Sequence, residues 1–319
     1  MFHVLDLGPN GQPVAREGDE WAAPPPAGTI RWIELVEPDT ASLEVLRARF
    51  DLHPLAIADC ATYGTQSKVD DYGRYLFVVI HSFTVAPDDP LDIQVHEIHA
   101  FVGESFLITV HDNPLPSHEA VWQKARASRA VLERGPSWVL YLDVEAMVEA
   151  TEPLVRRIRD QLDDLEWAII EQASTLDLKL VFRIKRVAVA MRRVIRPLRD
   201  TLGILHRRAD SRIPQRTTVH LRDVADHVVR LAEMVEEIRE VSDGLVTSYQ
   251  AFQAQRVNEV VKKLTIFSAI FLPLSFIVGF FGQNFADLPY DSGLWLAVML
   301  VSLVVVPAGL MEWFRRTLL

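Results

Sequence analysis

Residues 258–319 read NEVVKKLTIFSAIFLPLSFIVGFFGQNFADLPYDSGLWLAVMLVSLVVVPAGLMEWFRRTLL, and the rest of the chain is understood from them. Leu264 to Phe281 is an apolar run of 18 residues without a charge, and Leu294 to Met311 is a second. A helix needs about 20 apolar residues to cross a bilayer core. The runs therefore predict two transmembrane helices, over 264–282 and 294–312, joined by a loop over 283–293. That loop has no Lys or Arg and carries Asp287 and Asp291. Arg256, Lys262 and Lys263 precede the first span, and Arg315 and Arg316 follow the second. Positive flanks stay cytoplasmic. Both ends of the hairpin, the tail 313–319 and everything N-terminal are thus expected inside, with the acidic loop outside.

The first span carries Ser268, Pro273, Ser275 and Gly279 and ends in Gly282-Gln283-Asn284. Non-helical backbone at membrane depth survives only when protein shields it or water reaches it. The Gly-Gln-Asn turn is therefore either a plain loop or the mouth of a pore. The segments NEVVKKLT (258–265) and FLPLSFIVGFFGQNF (271–285) resemble the pore helix of the CorA metal-ion transporter family. That family has Gly-Met-Asn at the outer end of its first membrane helix. Gly282 and Asn284 match the signature, while Gln283 stands where the family has Met. The resemblance runs from about residue 30 to the end and is strongest over 217–290. It includes His53-Pro54-Leu55 with Asp59, and the RDVADH stretch at 222–227. It implies a cytoplasmic α/β domain, a long-helix stalk and two C-terminal transmembrane helices. It also implies a homo-oligomeric, pentameric funnel in the cytoplasmic membrane.

Composition narrows the function. The chain has 319 residues, 49% of them hydrophobic and 24% charged, with a net charge of −10. That balance argues against a nucleic-acid partner and suits a protein that handles cations. The single Cys60 excludes a disulfide within one chain and a Cys-rich metal site. No P-loop, nucleophile elbow or metalloprotease motif is present, so an enzyme is not expected. Residues 1–29 are polar and Pro-rich with no apolar signal-peptide core. They are expected to form a flexible segment, leaving the C-terminal hairpin to direct insertion.

Residues 30–136 predict a mixed α/β domain. IRWIELVE (30–37) reads as a strand, and Asp39 or Thr40 caps a helix through Phe50. Pro54 starts another helix as its first residue. YLFVVIHSFTV (75–85), IQVHEIHAFVG (93–103) and SFLITVHD (105–112) read as strands, the last two forming a hairpin. His96, His99 and His111 invite a metal-site reading. However, His96 and His99 are an odd number of positions apart and point to opposite faces, so no shared ion is expected there. Residues 137–216 predict a helical hairpin. Its first helix holds nine acidic residues and three Arg, whereas its second is basic from Lys179 to Arg199. Opposite charge is expected to register the two.

Residues 217–263 predict the stalk helix. Apolar residues fall at Val224, Val228, Leu231, Val235, Ile238, Leu245, Tyr249 and Phe252, with Ser242 in the same series. Steps of four and three mark a helix packing along a seam. A helix that long needs neighbours, and identical copies in a ring are the economical choice. Extended at the same spacing, the seam reaches Asn258, Val261, Leu264, Ser268, Leu272, Ser275 and Gly279 as pore-lining positions. Asn258, Ser268 and Ser275 would hydrogen-bond an ion's water shell. Val261, Leu264 and Leu272 would form dry constrictions. Gly282, Gln283 and Asn284 would form the selectivity mouth, with Asp287 and Asp291 gathering cations. The resemblance further implies regulatory divalent ions between cytoplasmic domains, held by Asp223 with Asp88 or Asp89. Thr247 stands where the family often has an Asp ring at the inner mouth.

No acidic residue lies in either span. Mg²⁺ keeps several of its waters, so neutral oxygen rings suit Mg²⁺, with Co²⁺ or Ni²⁺ as passengers. Zn²⁺ prefers N and S ligands, and the pore positions offer neither His nor Cys. The expected function is Mg²⁺ influx through a pore gated by cytoplasmic divalent ions. The alternatives are a Zn²⁺ transporter resembling ZntB and, from another class, a non-conducting membrane-anchored scaffold or sensor.

Overall fold

The structure is a computed structural model and describes residues 2–9, 11–16, 24–172, 177–283 and 292–317. It divides into two units, residues 1–246 and 247–319.

The first unit is built on a seven-stranded sheet. Its strands are β1 (Phe2–Leu7), β2 (Val14–Arg16), β3 (Ile30–Val36), β4 (Lys68–Asp71), β5 (Leu76–Ala86), β6 (Asp89–Val102) and β7 (Phe106–His111). Their spatial order is β2-β1-β3-β7-β6-β5-β4. The hairpin expected from the β-branched runs is present, with Ala100 opposite Thr109. β3 and β7 pair in parallel, setting Ile33 beside Ile108 and Glu34 beside Thr109. Parallel neighbours need a crossover, and α1 (Thr40–Phe50) and α2 (Pro54–Thr62) lie in that connection.

The expectation of a flexible segment over 1–29 is corrected for residues 2–7. They form β1, an interior strand paired with β2 on one side and β3 on the other. Val4, Leu5 and Leu7 are buried. Asp6 is buried too, and Arg31 reaches it through Nε at 2.7 Å and Nη2 at 2.8 Å. The partner strand begins 23 residues after β1 ends, across a polar stretch, so local pattern could not reveal the pairing. Arg129 donates to the carbonyls of Pro9 at 2.7 Å and Gly11 at 2.6 Å, holding the turn after β1.

Helices cover both faces of the sheet. On one face, Leu43, Leu46 and Phe50 of α1 and Ala56, Ile57 and Cys60 of α2 join Ile33, Leu35, Phe77, Val79, Phe101 and Ile108 in a single core. Each large side chain fully buried this way contributes roughly 1.5–3 kcal/mol. Asp39 caps α1 by accepting from Ser42 N at 2.7 Å. His53 Nδ1 accepts from Leu55 N at 3.2 Å, and Pro54 follows as the first helical residue of α2. The His-Pro-Leu stretch is thus a helix start, and Asp59 pairs with Lys68 at 2.8 Å. The other face carries α3 (Pro116–Ala127), the short α4 (Arg129–Leu132) and α5 (Pro136–Gln172). Trp32 is fully buried there, edge-on to Trp122 at 4.8 Å and to His118 at 5.4 Å.

α5, α6 (Leu178–Leu205) and the start of α7 (Gln215–Phe281) pack together. Val224, Val228, Leu231, Val235, Ile238, Ser242 and Leu245 are all buried inside this one unit. Ser242 can be buried because its hydroxyl donates to Ile238 O at 2.7 Å. Trp138 of α5 meets His220 of α7 at 4.8 Å. This corrects two readings. The stretch of seam over 224–245 is filled by the chain's own α5 and α6, not by copies of α7. Two basic residues of α6 pair with α7, Lys185 with Asp243 at 2.6 Å and Arg192 with Glu236 at 2.8 Å. A heptad spacing says that a helix has a partner along one stripe, but not which helix that is.

Candidate functional site

The second unit holds the end of α7 and α8 (Gly293–Thr317), the two helices among the described residues that are long and apolar enough to cross a membrane. The rings of Phe281 and Trp295 lie 6.1 Å apart at one end of the pair. Ile266, Ala269, Ile270, Pro273, Leu274, Ile277 and Phe281 are half-covered, as are Ser302, Val306 and Leu310 on α8. With 3.6 residues per turn, the α7 residues form one strip facing α8. Asn258, Val261, Leu264, Ser268, Leu272, Ser275 and Gly279 fall on the opposite strip and are exposed in the single chain. The hydroxyls of Thr265 and Ser275 donate to Val261 O at 2.8 Å and Phe271 O at 2.9 Å. Their hydrogens are committed to the helix, which leaves oxygen lone pairs outward as acceptors.

α7 ends at Phe281. Gly282 N donates to Val278 O at 2.9 Å and closes the last turn. A Cβ at Gly282 would sit 3.1 Å from that same carbonyl, so a larger residue would crowd the exit from the helix. Gln283 follows, exposed. Asn284, Asp287 and Asp291 lie outside the described residues.

The three acids expected to regulate are not gathered within one chain. Asp223 is exposed on α7, with His227 Nε2 4.0 Å from its carboxylate one turn on. Asp88 is exposed in the β5–β6 turn. Asp89 accepts from Leu91 N at 3.0 Å and is bonded by the Arg183 guanidinium. These bonds hold its carboxyl below the usual range, the Leu91 amide contributing most. Its oxygens are therefore already engaged.

A different cluster was not foreseen. Glu34 (β3), His111 (β7) and His118 (α3) are buried together, and their ligand atoms lie within 4.8 Å of one another. Glu34 Oε1 is 3.1 Å from His111 Nε2 and 3.2 Å from His118 Nε2. His118 Nδ1 is 3.0 Å from Oδ1 of the fully buried Asp143 on α5, and His3 Nδ1 is 2.8 Å from Glu34 Oε2. Burial pushes the Glu34 carboxyl up, but the bonds from His111, His118 and His3 outweigh it and hold the group well below the usual range. Burial lowers His118, and the charges of Asp143 and Glu34 reverse this, pushing it up to about 10. In the sequence, His111 groups with the histidines of its neighbour strand. There, His96 bonds Thr84 Oγ1 at 2.7 Å and His99 bonds Glu97 at 3.1 Å. Titratable residues inside the apolar strings IRWIELV, FLITVH and WVLYLDV were the available signal.

Comparison with known proteins agrees with this architecture. Residues 27–316 match the family described as CorA-like Mg2+ transporter protein. The putative metal ion transporter YfjQ of Bacillus subtilis is 30% identical over 286 residues, covering 89% of this chain and 88% of that protein. The cobalt/magnesium transport protein CorA of Thermotoga maritima is 28% identical over 270 residues, covering 84% and 76%. Among solved structures, the complete CorA magnesium transporter of Methanocaldococcus jannaschii superposes with a TM-score of 0.81 at 16% identity, covering 98% of both chains. The ZntB cytoplasmic domain of Vibrio parahaemolyticus superposes with a TM-score of 0.64 at 10% identity, covering 80% of this chain and 99% of that one. These two likenesses concern the fold. The chain belongs to the CorA-like Mg2+ transporter family and is a divalent-cation transporter of the cytoplasmic membrane, with two C-terminal transmembrane helices and no enzymatic role.

Proposed function

We propose that the chain assembles with identical copies, five by resemblance, into a pore that admits hydrated Mg²⁺ to the cytoplasm. The observation that carries this reading is the exposed strip of α7 from Asn258 to Gly279, opposite the strip that faces α8. Exposed oxygens at Asn258, Ser268 and Ser275 alternate there with apolar Val261, Leu264 and Leu272. In a ring, the polar positions hydrogen-bond the ion's water shell and the apolar ones gate by dewetting. Gly282, Gln283 and Asn284 form the mouth, and Asp287 and Asp291 concentrate cations outside it. Mg²⁺ surrenders its waters reluctantly, and a strip of neutral oxygens does not require it to. An inside-negative potential supplies about 2.3 kcal/mol per charge per 100 mV, hence about twice that for a dication.

Asp223 is the principal regulatory ligand in this reading, with His227 one turn away and Asp88 of a neighbouring chain as partner. Asp89 is secondary because Arg183 engages it. The relative named a cobalt/magnesium transport protein supports Mg²⁺ with Co²⁺ as a second passenger.

The test is ion flux into liposomes carrying the purified protein, with Mg²⁺ and Zn²⁺ assayed separately, beside Asn284→Ala. Voltage-driven Mg²⁺ uptake that is insensitive to a pH gradient and lost in the variant is expected. Zn²⁺ flux driven by a pH gradient, with little Mg²⁺ flux, would move the chain to the zinc reading. Absence of flux from folded oligomers would leave the scaffold reading.

A further inference from the structure

We propose that Glu34, His111 and His118 form a Zn²⁺ site inside the first unit, distinct from the transport path and independent of which ion the pore carries. His111 Nδ1 lies 2.7 Å from the carbonyl oxygen of Asn113. A carbonyl only accepts, so this nitrogen carries the hydrogen. In the neutral ring, Nε2 then directs a lone pair at Glu34 Oε1, 3.1 Å away. A lone pair facing a carboxylate is repulsive unless a cation stands between them. His118 meets the same oxygen from its own Nε2 at 3.2 Å, while its other nitrogen faces Asp143.

Two kinds of cation resolve this. A second proton on His111 makes it an imidazolium beside the protonated His118, with ring centroids 4.9 Å apart in the buried interior. A single dication serves both nitrogens and the carboxylate without that like-charge pair. Four ligands about 2.1 Å from Zn²⁺ sit roughly 3.4 Å from one another. The two nitrogen–oxygen separations here are 3.1 and 3.2 Å, and all three ligand atoms lie within 4.8 Å of one another. Two His and one carboxylate are a donor set that suits Zn²⁺ and leaves one position open. Mg²⁺ prefers oxygen throughout, so the transported ion is a poor occupant.

The surroundings suit a metal as well. A ligating His usually gives its other N–H to a carbonyl or carboxylate, which fixes the ring. His111 has the Asn113 carbonyl in that place, and His118 Nδ1 lies 3.0 Å from Asp143 Oδ1. Neither carboxylate oxygen of Asp143 has a well-aligned hydrogen bond among the described residues, although the residue is fully buried. A metal at His118 Nε2 would place the ring hydrogen on Nδ1 and give Asp143 the donor it lacks. A cavity of about 410 Å³, lined by Glu34, His3, Glu37, Pro114 and Glu119, reaches the cluster on its Glu34 side.

The test uses full-length protein in detergent, stripped with chelator and reloaded with Zn²⁺ at about pH 8, where an unperturbed histidine is neutral and Zn²⁺ has only the His118 proton to displace. Asp223→Asn is included in every sample to remove the other expected divalent site. One zinc per chain is expected to survive gel filtration, and Mg²⁺ in excess should not displace it. Co²⁺ in its place should give the visible absorption of a low-coordinate N/O site. His111→Gln and Glu34→Gln should lose that zinc, and Asp143→Asn should weaken it about 10–100-fold. Should these variants misfold, the protein with all three residues intact still decides. Zinc must raise its melting temperature at about pH 8 and fail to do so near pH 5.5, because binding displaces protons. Equal zinc content in the intact cluster and in folded His111→Gln would overturn the site. So would a melting temperature indifferent to zinc that falls as pH rises toward 10, the behaviour of a doubly protonated histidine pair.

Discussion

α7 carries one apolar repeat through two different surroundings. From Val224 to Leu245 the stripe is buried by α5 and α6 of the same chain, with Val228 and Ser242 at 0% exposure. From Asn258 to Gly279 the same spacing lies exposed, with Leu272 at 74%. The first stretch contributes to folding of the single chain. The second has no buried contact among the described residues, and its neighbours in the proposed ring are lipid and other copies. Periodicity alone treats the two as one seam. Their difference shows that a heptad pattern specifies a contact stripe without specifying intramolecular or intermolecular contact.

The contrast can be broken most directly with a charge. Val228→Asp places an unpaired carboxylate in the packed stripe and is expected to cost roughly 3–5 kcal/mol, seen as loss of the cooperative melt of the first unit. A stable, unchanged melt would mean that α5 and α6 do not cover this stripe. Arg212→Ala is expected to cost about 2 kcal/mol. Its guanidinium bonds Asp71 at 2.6 Å, Asp210 at 2.6 Å and Gly73 O at 3.0 Å, tying the α6–α7 connection to β4. Bonds from Arg212 and Arg208 hold the Asp71 carboxyl well below its usual range. A depressed carboxyl stabilises above its unfolded pKa, about 3.9, and loses that stability as pH falls through the lower folded value. The wild type should therefore exceed Arg212→Ala in stability at neutral pH, and the gap should narrow in acid below about pH 3.

Smaller effects sharpen the comparison. The half-exposed pair Arg192–Glu236 across α6 and α7 should show a double-mutant coupling of about 0.2–1 kcal/mol, falling with salt. A larger coupling would make charge, rather than apolar packing, the force that seats α7 on α6. Leu272→Ser lies on the exposed stripe and should change the melt of the first unit by less than about 0.5 kcal/mol. In the liposome assay it should raise basal ion flux, because a wetter constriction gates less well. Unchanged flux would remove Leu272 from the proposed pore lining.

Much of the fold was legible. The two spans, the β5–β7 strands, the Asp39 cap and the Pro54 helix start all rest on local pattern, which a sequence displays directly. β1 was missed because it pairs with β3 across a polar stretch of over twenty residues. The charge pairing of α6 was assigned to α5 because α5 is its neighbour in sequence and the more acidic of the two. The Glu34–His111–His118 cluster was missed for a similar reason, since its members come from three elements and from widely separated positions.

The sequence by itself determined the membrane hairpin, the polarity of its flanks and the apolar stripe of α7. These depend on composition and on helical or strand periods, which are properties of neighbouring residues. Only the tertiary structure decided which helices fill that stripe, that Phe2–Leu7 is an interior strand, and that one carboxylate and two imidazoles converge in the buried core. Those depend on which distant segments come together, and close packing of the whole chain selects that arrangement.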